Sequence, residues 1–203
     1  MDDLGVPPDI QDFFNVEGPS FDYGGEVEQF SNDFHLVPVT TGLWRVGPGG
    51  FREVIITSSA MEAIAYLSLN AFRYQAPYAL LFMAIGNLPH PSHFEAIRLA
   101  AQKRKITLVF PNDLTGRLAD IVLAMGIRCK MVSVEWQNGK VLCCAGTRTF
   151  LTEPDQLSLH AFEKACAIRT QIRTRKPNQQ NSFLEQLRNQ PLQTNLKSLS
   201  VAG

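Results

Sequence analysis

The chain contains no uninterrupted run of about 18 apolar residues, so no membrane-spanning helix is expected and no membrane partner is implied. It has no excess charge of either sign. Nineteen basic residues offset nineteen acidic ones in 203 positions. That removes any global electrostatic case for nucleic acid or an anionic membrane surface and leaves only local patches. Cysteine is scarce, and Cys129, Cys143, Cys144 and Cys166 form no CxxC pair. Neither a zinc site nor a disulfide framework is supported, and reduced thiols in a cytoplasmic protein are expected. No GxSxG nucleophile elbow, GxGxxG fingerprint or Walker loop is present; the GPGG at 47–50 precedes a strand, whereas phosphate-binding loops follow one. The opening MDDLGVPPDI is acidic and Pro-containing, unlike a secretory signal.

What remains is an ordinary globular composition, 45% apolar, in a chain long enough for one domain with a full core. Residues 1–33 are acidic and rich in Gly and Pro, and read as a flexible or docking arm. Within them PPDIQDFF suits a short helix with Pro8 at its start. The segments 34–39 (FHLVPV) and 42–46 (GLWRV) suggest a small hairpin. From residue 52 the pattern alternates. REVIITS, YALLFMAIG and KITLVF are apolar, β-branched or aromatic runs of buried-strand type. Between and after them lie SAMEAIAYLSLNAFR, PSHFEAIRLAAQKR and TGRLADIVLAMG, with apolar residues at helical spacing. IRCKMVSVEW is expected as a fourth strand, and Gly126 as the end of the third helix.

This alternation predicts an α/β fold with an open, mostly parallel sheet of about four strands and helices on both faces. Asn138-Gly139 predicts a type I′ hairpin and one antiparallel edge strand near 140–147. EPDQLSLHAFEKACAIRTQIRTR reads as a long terminal helix, with Cys166 on its apolar stripe. The domain is thus expected over 34–176. Residues 177–203 are rich in Gln and Asn and are expected to be a disordered or partner-binding tail carrying only FLEQLR as a helical patch.

Ligands of open α/β sheets gather outside the carboxyl ends of the strands. The segments leaving those ends are Thr57-Ser58-Ser59, Gly86-Asn87 and Pro111-Asn112-Asp113. The expected site is polar and almost uncharged. Asp113 is the one acid at a strand end, with Glu62 about a turn into the first helix.

VIITSSAMEAIAYLSL followed by LVFPNDLTGRLA resembles the topoisomerase–primase (Toprim) domain. The resemblance is to the divergent versions found in primase-like and mobilisation-associated proteins of bacterial mobile elements, and it spans roughly 52–135. Ser58 falls at the family's strand-end Glu, and Glu62-Ala63-Ile64 at the Asp-Ala-Leu that follows. Gly86 falls at the Gly after the middle strand. Pro111-Asn112-Asp113 fills the Asp-x-Asp triplet, and Gly116-Arg117 the Gly-Arg. In the family the Glu is a general acid/base and the Asp pair binds magnesium. Here two of those three acids are replaced, by Ser58 and Pro111. A lone Asp113 would hold hydrated magnesium only weakly, since the ion usually takes carboxylates together with substrate phosphate. An unactivated Ser58 hydroxyl does not carry protons near neutral pH. The resemblance therefore implies a catalytically degenerate domain that binds nucleic acid or a DNA replication or mobilisation partner.

Each of these residues also has an ordinary structural use. Asp113 and Asn112 suit a helix start and turn, and Ser58 and Ser59 suit a cap of the first helix, with phosphate contact there as the sharper alternative. Glu62 reads more readily as a solvated or partly buried helix residue. His90 and His93 lack a third ligand for a metal. Lys103, Arg104 and Lys105 cluster at the opposite end of the sheet. Arg169, Arg173, Arg175 and Lys176 form a second cluster that would track a phosphate backbone or simply end a helix favourably. Two other function classes stay open. One is an active metal-dependent nuclease or nucleotidyl-transfer enzyme, which requires Asp113, Glu62 and Asp120 to converge. The other is an interaction scaffold whose arm and tail do the binding.

Overall fold

A computed structural model of the chain describes residues 1–31, 33–75 and 78–190. The elements in order are α1 (Pro8–Phe14), β1 (Ser20–Asp22), β2 (Val27–Phe30), β3 (His35–Leu36), β4 (Trp44–Val46), β5 (Glu53–Thr57), α2 (Ala60–Asn70), β6 (Leu80–Ala84), α3 (Pro91–Ala101), β7 (Lys105–Val109), α4 (Leu114–Ile127), β8 (Ser133–Gln137), β9 (Lys140–Ala145), β10 (Arg148–Thr152), α5 (Leu159–Ala165), β11 (Arg173–Arg175) and α6 (Phe183–Arg188).

Five strands form the main sheet in the order β11-β7-β5-β6-β4. All are parallel except β4, which runs antiparallel to β6. The central strands are apolar on both sides because both sides are covered. Ile55, Phe82, Ala84 and Val109 face α1, α2 and α6. Val54, Ile56, Leu81, Met83, Ile106 and Leu108 face α3, α4 and α5. Right-handed crossovers explain the two layers. The chain steps from β5 to β6 through α2. It then returns past β5 to β7 through α3, which must lie on the opposite face. The α/β class and the mostly parallel sheet are as the sequence predicts.

Several expected details differ. Ser133–Gln137 is not the fourth parallel strand: β8 belongs to a separate antiparallel sheet, β10-β9-β8. Asn138 (φ 50°) and Gly139 (φ 80°) make the hairpin the sequence signals, but it pairs within that sheet rather than on the edge of the main one. The antiparallel edge strand is β4 instead. The fourth parallel strand is β11, inside the segment read as one long helix. That helix stops at Ala165, because Ala167 (φ 48°) and Gln171 (φ 58°) take left-handed backbone that no helix continues through. Ile172 then packs into the core while Arg173 and Arg175 face outward, a strand alternation. Segments 34–39 and 42–46 do not pair with each other. β3 pairs with β2 and β4 with β6, so a third sheet, β1-β2-β3, forms, its first two strands from residues expected to be a loose arm and its third from the expected hairpin.

That arm is packed against the domain: Val6, Ile10, Phe14, Phe21, Tyr23 and Phe30 are buried in the α2-side core. FLEQLR is helical, as predicted, and as α6 it buries Phe183, Leu184 and Leu187 against α2. The remainder of the expected tail, 191–203, lies outside the described residues. Gly126 sits inside α4 rather than ending it. A Cβ there would come within 2.3 Å of the Phe94 ring, so the glycine lets α3 press onto α4.

Candidate site at the carboxyl ends of the strands

The connections leaving β5 and β7 turn to opposite faces of the sheet, which places a switch-point crevice between Ser58-Ser59 and Asn112-Asp113. Pairing Thr57 with Val109 brings the two tips side by side. The polypeptide itself occupies this crevice. Asn112 N–H donates to the Asn181 carbonyl at 2.6 Å. One turn further into α2, the Glu62 carboxylate accepts from Phe183 N–H (2.7 Å) and Leu184 N–H (3.1 Å), closing the start of α6 across the sheet end. Burial pushes the Glu62 carboxyl up to about 7, and those two backbone donors act against the rise.

The start of α2 is occupied from the other side. Ser59 Oγ accepts from Glu62 N–H at 3.0 Å, an ordinary N-cap. The first two helical N–H groups donate to Glu28, from Ala60 at 2.7 Å and Met61 at 3.1 Å. Glu28 is wholly buried on β2 and also accepts from the Tyr23 hydroxyl at 2.6 Å and pairs with His35 Nε2 at 2.9 Å. An internal carboxylate thus takes the position at a helix N-terminus that would attract a phosphate. Burial, reinforced by Glu28, pushes the Tyr23 hydroxyl far above its ordinary range, so it stays a proton donor to that carboxylate. Ser58 is half-buried beside this network.

The β6 tip is tied down as well. Asn87 N–H donates to the Pro38 carbonyl at 2.9 Å, and the Asn87 amide to Val37. Gly86 holds φ 78°, and a Cβ there would lie 2.5 Å from the same Pro38 oxygen, which explains the glycine without a ligand.

At the β7 tip, Asp113 is exposed and caps α4, its Oδ1 accepting from Gly116 N–H at 2.7 Å. Pro111 supplies only its carbonyl. A Cβ on Gly116 would stand 2.1 Å from that oxygen, so the close turn demands glycine. Arg117 reaches back to Asn112 Oδ1 and to the carbonyls of Pro154 and Asp155, clamping the loop before α5. A side-chain cation of the chain itself sits at this tip. Lys176 Nζ donates to the carbonyls of Pro111 (2.9 Å), Phe110 (3.2 Å) and Gly116 (3.4 Å), and pairs with Asp120 Oδ2 at 2.7 Å. Burial pushes the Asp120 carboxyl up to about 6, with Lys176 pulling it down.

The acids therefore do not converge. Asp113 caps α4, Glu62 holds α6 and Asp120 holds Lys176. Among the described residues no three His, Cys, Asp or Glu side chains are grouped to hold a metal. The donor set does not fit the magnesium that a Toprim resemblance implies, because the oxygens beside Asp120 already surround an ammonium. His90 caps α3 through Ser92 N–H, and His93 Nδ1 accepts from His90 N–H.

Of the expected basic cluster, Arg169, Arg173 and Arg175 are exposed, whereas Lys176 is turned inward as described. Sequence reasoning missed Glu28, Asn181 and the inward role of Lys176. No local pattern marks them, since each acts on residues distant in the chain.

Compared with known protein families, curated proteins and solved structures, the chain matches none. No helix among the described residues is long and apolar enough to cross a membrane.

Proposed function

We propose that the chain is a catalytically lapsed Toprim-like module that works by binding nucleic acid or a replication or mobilisation protein, rather than by strand cleavage or phosphoryl transfer. The observation that carries this reading is the Lys176 ammonium seated among Phe110, Pro111, Gly116 and Asp120 at the β7 tip. A tethered cation there balances the local negative charge permanently. It offers no open coordination position to a substrate oxygen, which metal-assisted transfer requires. The Glu28 carboxylate supports the same reading, because it would repel the phosphate that the α2 start would otherwise draw in.

The test is incubation of the full chain with labelled single-stranded DNA and magnesium or manganese, alongside calorimetric titration with manganese alone. The expected result is no cleavage, no nucleotidyl transfer and no saturable manganese site. Metal-dependent turnover that Asp113→Ala abolishes would overturn the proposal and restore the enzyme reading.

A further inference from the structure

Ion pairs among the described residues are three: His35–Glu28, Lys140–Glu153 and Lys176–Asp120. None involves Arg52, Arg73, Lys105, Arg173 or Arg175, and all five are exposed. Sheet register puts three of them on one side. Arg173 lies opposite Thr107 and Arg175 opposite Val109, which with Lys105 share the α2 face of the sheet. Strand geometry spaces Arg173 and Arg175 about 6.6 Å apart, and Lys105 follows about 8 Å from Arg173 across one strand. Arg52, Arg73 and Lys105 line a cleft of about 500 Å³ with Glu53 and Tyr74 at the amino ends of the strands. Glu53, the acid in that cleft, accepts from Thr107 Oγ1 at 2.6 Å. Beside the cleft the Tyr66 and Tyr74 hydroxyls share a hydrogen bond of 2.7 Å. Burial raises the Tyr66 hydroxyl, its bond to Tyr74 and the charges of Arg175 and Arg73 act the other way, and the charge of Glu53 adds to the rise.

Next to these cations stands an unpartnered aromatic. Phe72 is 80% exposed at the end of α2, with the Arg73 guanidinium 5.1 Å from its ring centre. A line of free cations beside a stacking platform is the chemistry that tracks a single strand, because phosphates follow the charges while a base lies on the ring. A small anion would use one end of this row and leave the rest idle.

We propose that this face binds single-stranded nucleic acid, with Arg52, Lys105, Arg173 and Arg175 meeting phosphates and Phe72 with Arg73 stacking a base. The face runs from Arg52 and Lys105 at the amino ends of the strands along the β11 edge to Arg175, which lies opposite Val109 at the carboxyl end of β7, and it rests on the binding reading above only for the class of partner.

The experiment is fluorescence anisotropy of a labelled oligothymidylate of about 16 nucleotides against the full chain over a range of salt. Four phosphate contacts give a log–log salt slope near −2.8, so affinity falls about fiftyfold from roughly 50 to 200 mM salt. Arg175→Ala reduces the slope by about 0.7. Phe72→Ala weakens binding about tenfold, the loss of one stacked base. Lys164→Ala, on α5 across the sheet, changes neither. No binding at low salt, or an equal effect of Lys164→Ala and Arg175→Ala, overturns the assignment; the arginines then serve only to guard the β11 edge against strand pairing. Adding manganese to the same samples separates the two proposals. Cleavage would sink the lapsed-catalyst reading, whereas absent binding without cleavage sinks this one alone.

Discussion

Replacing Lys176 with methionine tests whether the ammonium holds the β7 tip together. Methionine keeps the length of the stem and removes the charge and every donor. Four contacts are lost: the 2.7 Å pair with Asp120 and the bonds to Pro111, Phe110 and Gly116. Asp120, whose side chain is 2% exposed, is then left without a counterion, and its Oδ1 already lacks a partner. Removing one member of a buried pair costs about 3–5 kcal/mol. Lys176 itself is 22% exposed, so water recovers part of that, and about 3 kcal/mol is expected at pH 7.5.

The loss has a defined pH dependence. Asp120 has a folded-state pKa of about 6, above its ordinary 3.8, so its folded form already favours the proton. Stability from that preference is complete below about 3.8 and disappears as pH rises through about 6. Without Lys176 the carboxyl is driven higher still. The deficit of Lys176→Met therefore shrinks as the solution is acidified below about 6, because Asp120 then carries a proton in both proteins. Urea unfolding of the parent, Lys176→Met, Asp120→Asn and the double variant gives the coupling. A coupling of about 2 kcal/mol is expected, with the double variant more stable than Lys176→Met. A coupling below about 0.5 kcal/mol, or a Lys176→Met deficit that is flat with pH, would refute this account of the tip.

Glu62→Gln tests the strap over the crevice. Burial lifts the Glu62 carboxyl to about 7 from an ordinary 4.5, so its share of stability is full below 4.5 and lost as pH rises through about 7. The amide removes that share, about 3 kcal/mol of pH dependence, and urea midpoints across this range should flatten accordingly while the contribution of Asp120 persists. Gly116→Ala drives a Cβ into the Pro111 carbonyl, and a loss of about 2 kcal/mol is expected in the same assay; a neutral result would mean the turn relaxes freely.

The sheet was legible from β5 through β7 because each signal there is local. Val54, Ile55 and Ile56, or Leu81, Phe82 and Met83, declare strands buried on both faces, and the helices between them keep their spacing over three turns. β11 carries no comparable signal. Ile172 and Thr174 are two inward residues in a basic stretch, and only the empty edge of β7 makes a strand of them. β8 misled for the converse reason: its run resembles a strand and is one, but Asn138-Gly139 commits it to β9 and away from the parallel sheet. The candidate site divides in the same way. Positions at the strand tips followed from sequence order, and the caps at Ser59 and Asp113 from residue type. Their occupants did not, since Phe183 N–H lies 121 residues from the Glu62 carboxylate that receives it.

That division bears on where binding can occur. A ligand site needs polar groups that are free before the ligand arrives, since each bond to a ligand otherwise replaces one already made. At the carboxyl ends of the strands few such groups remain. The first N–H groups of α2 belong to Glu28 and Ser59, the Gly116 N–H of α4 to Asp113, the β6 tip to Pro38 and the Asn112 N–H to Asn181. At the amino ends Arg52 and Lys105, and along the β11 edge Arg173 and Arg175, have no carboxylate within salt-bridge range among the described residues, and Phe72 is 80% exposed. On a neutral chain, unpaired cations collected on one face are an arrangement that the count of charges conceals. With the polar groups of the strand tips satisfied internally, the free groups lie at the amino ends and along the β11 edge, and it is these that the proposed strand would meet.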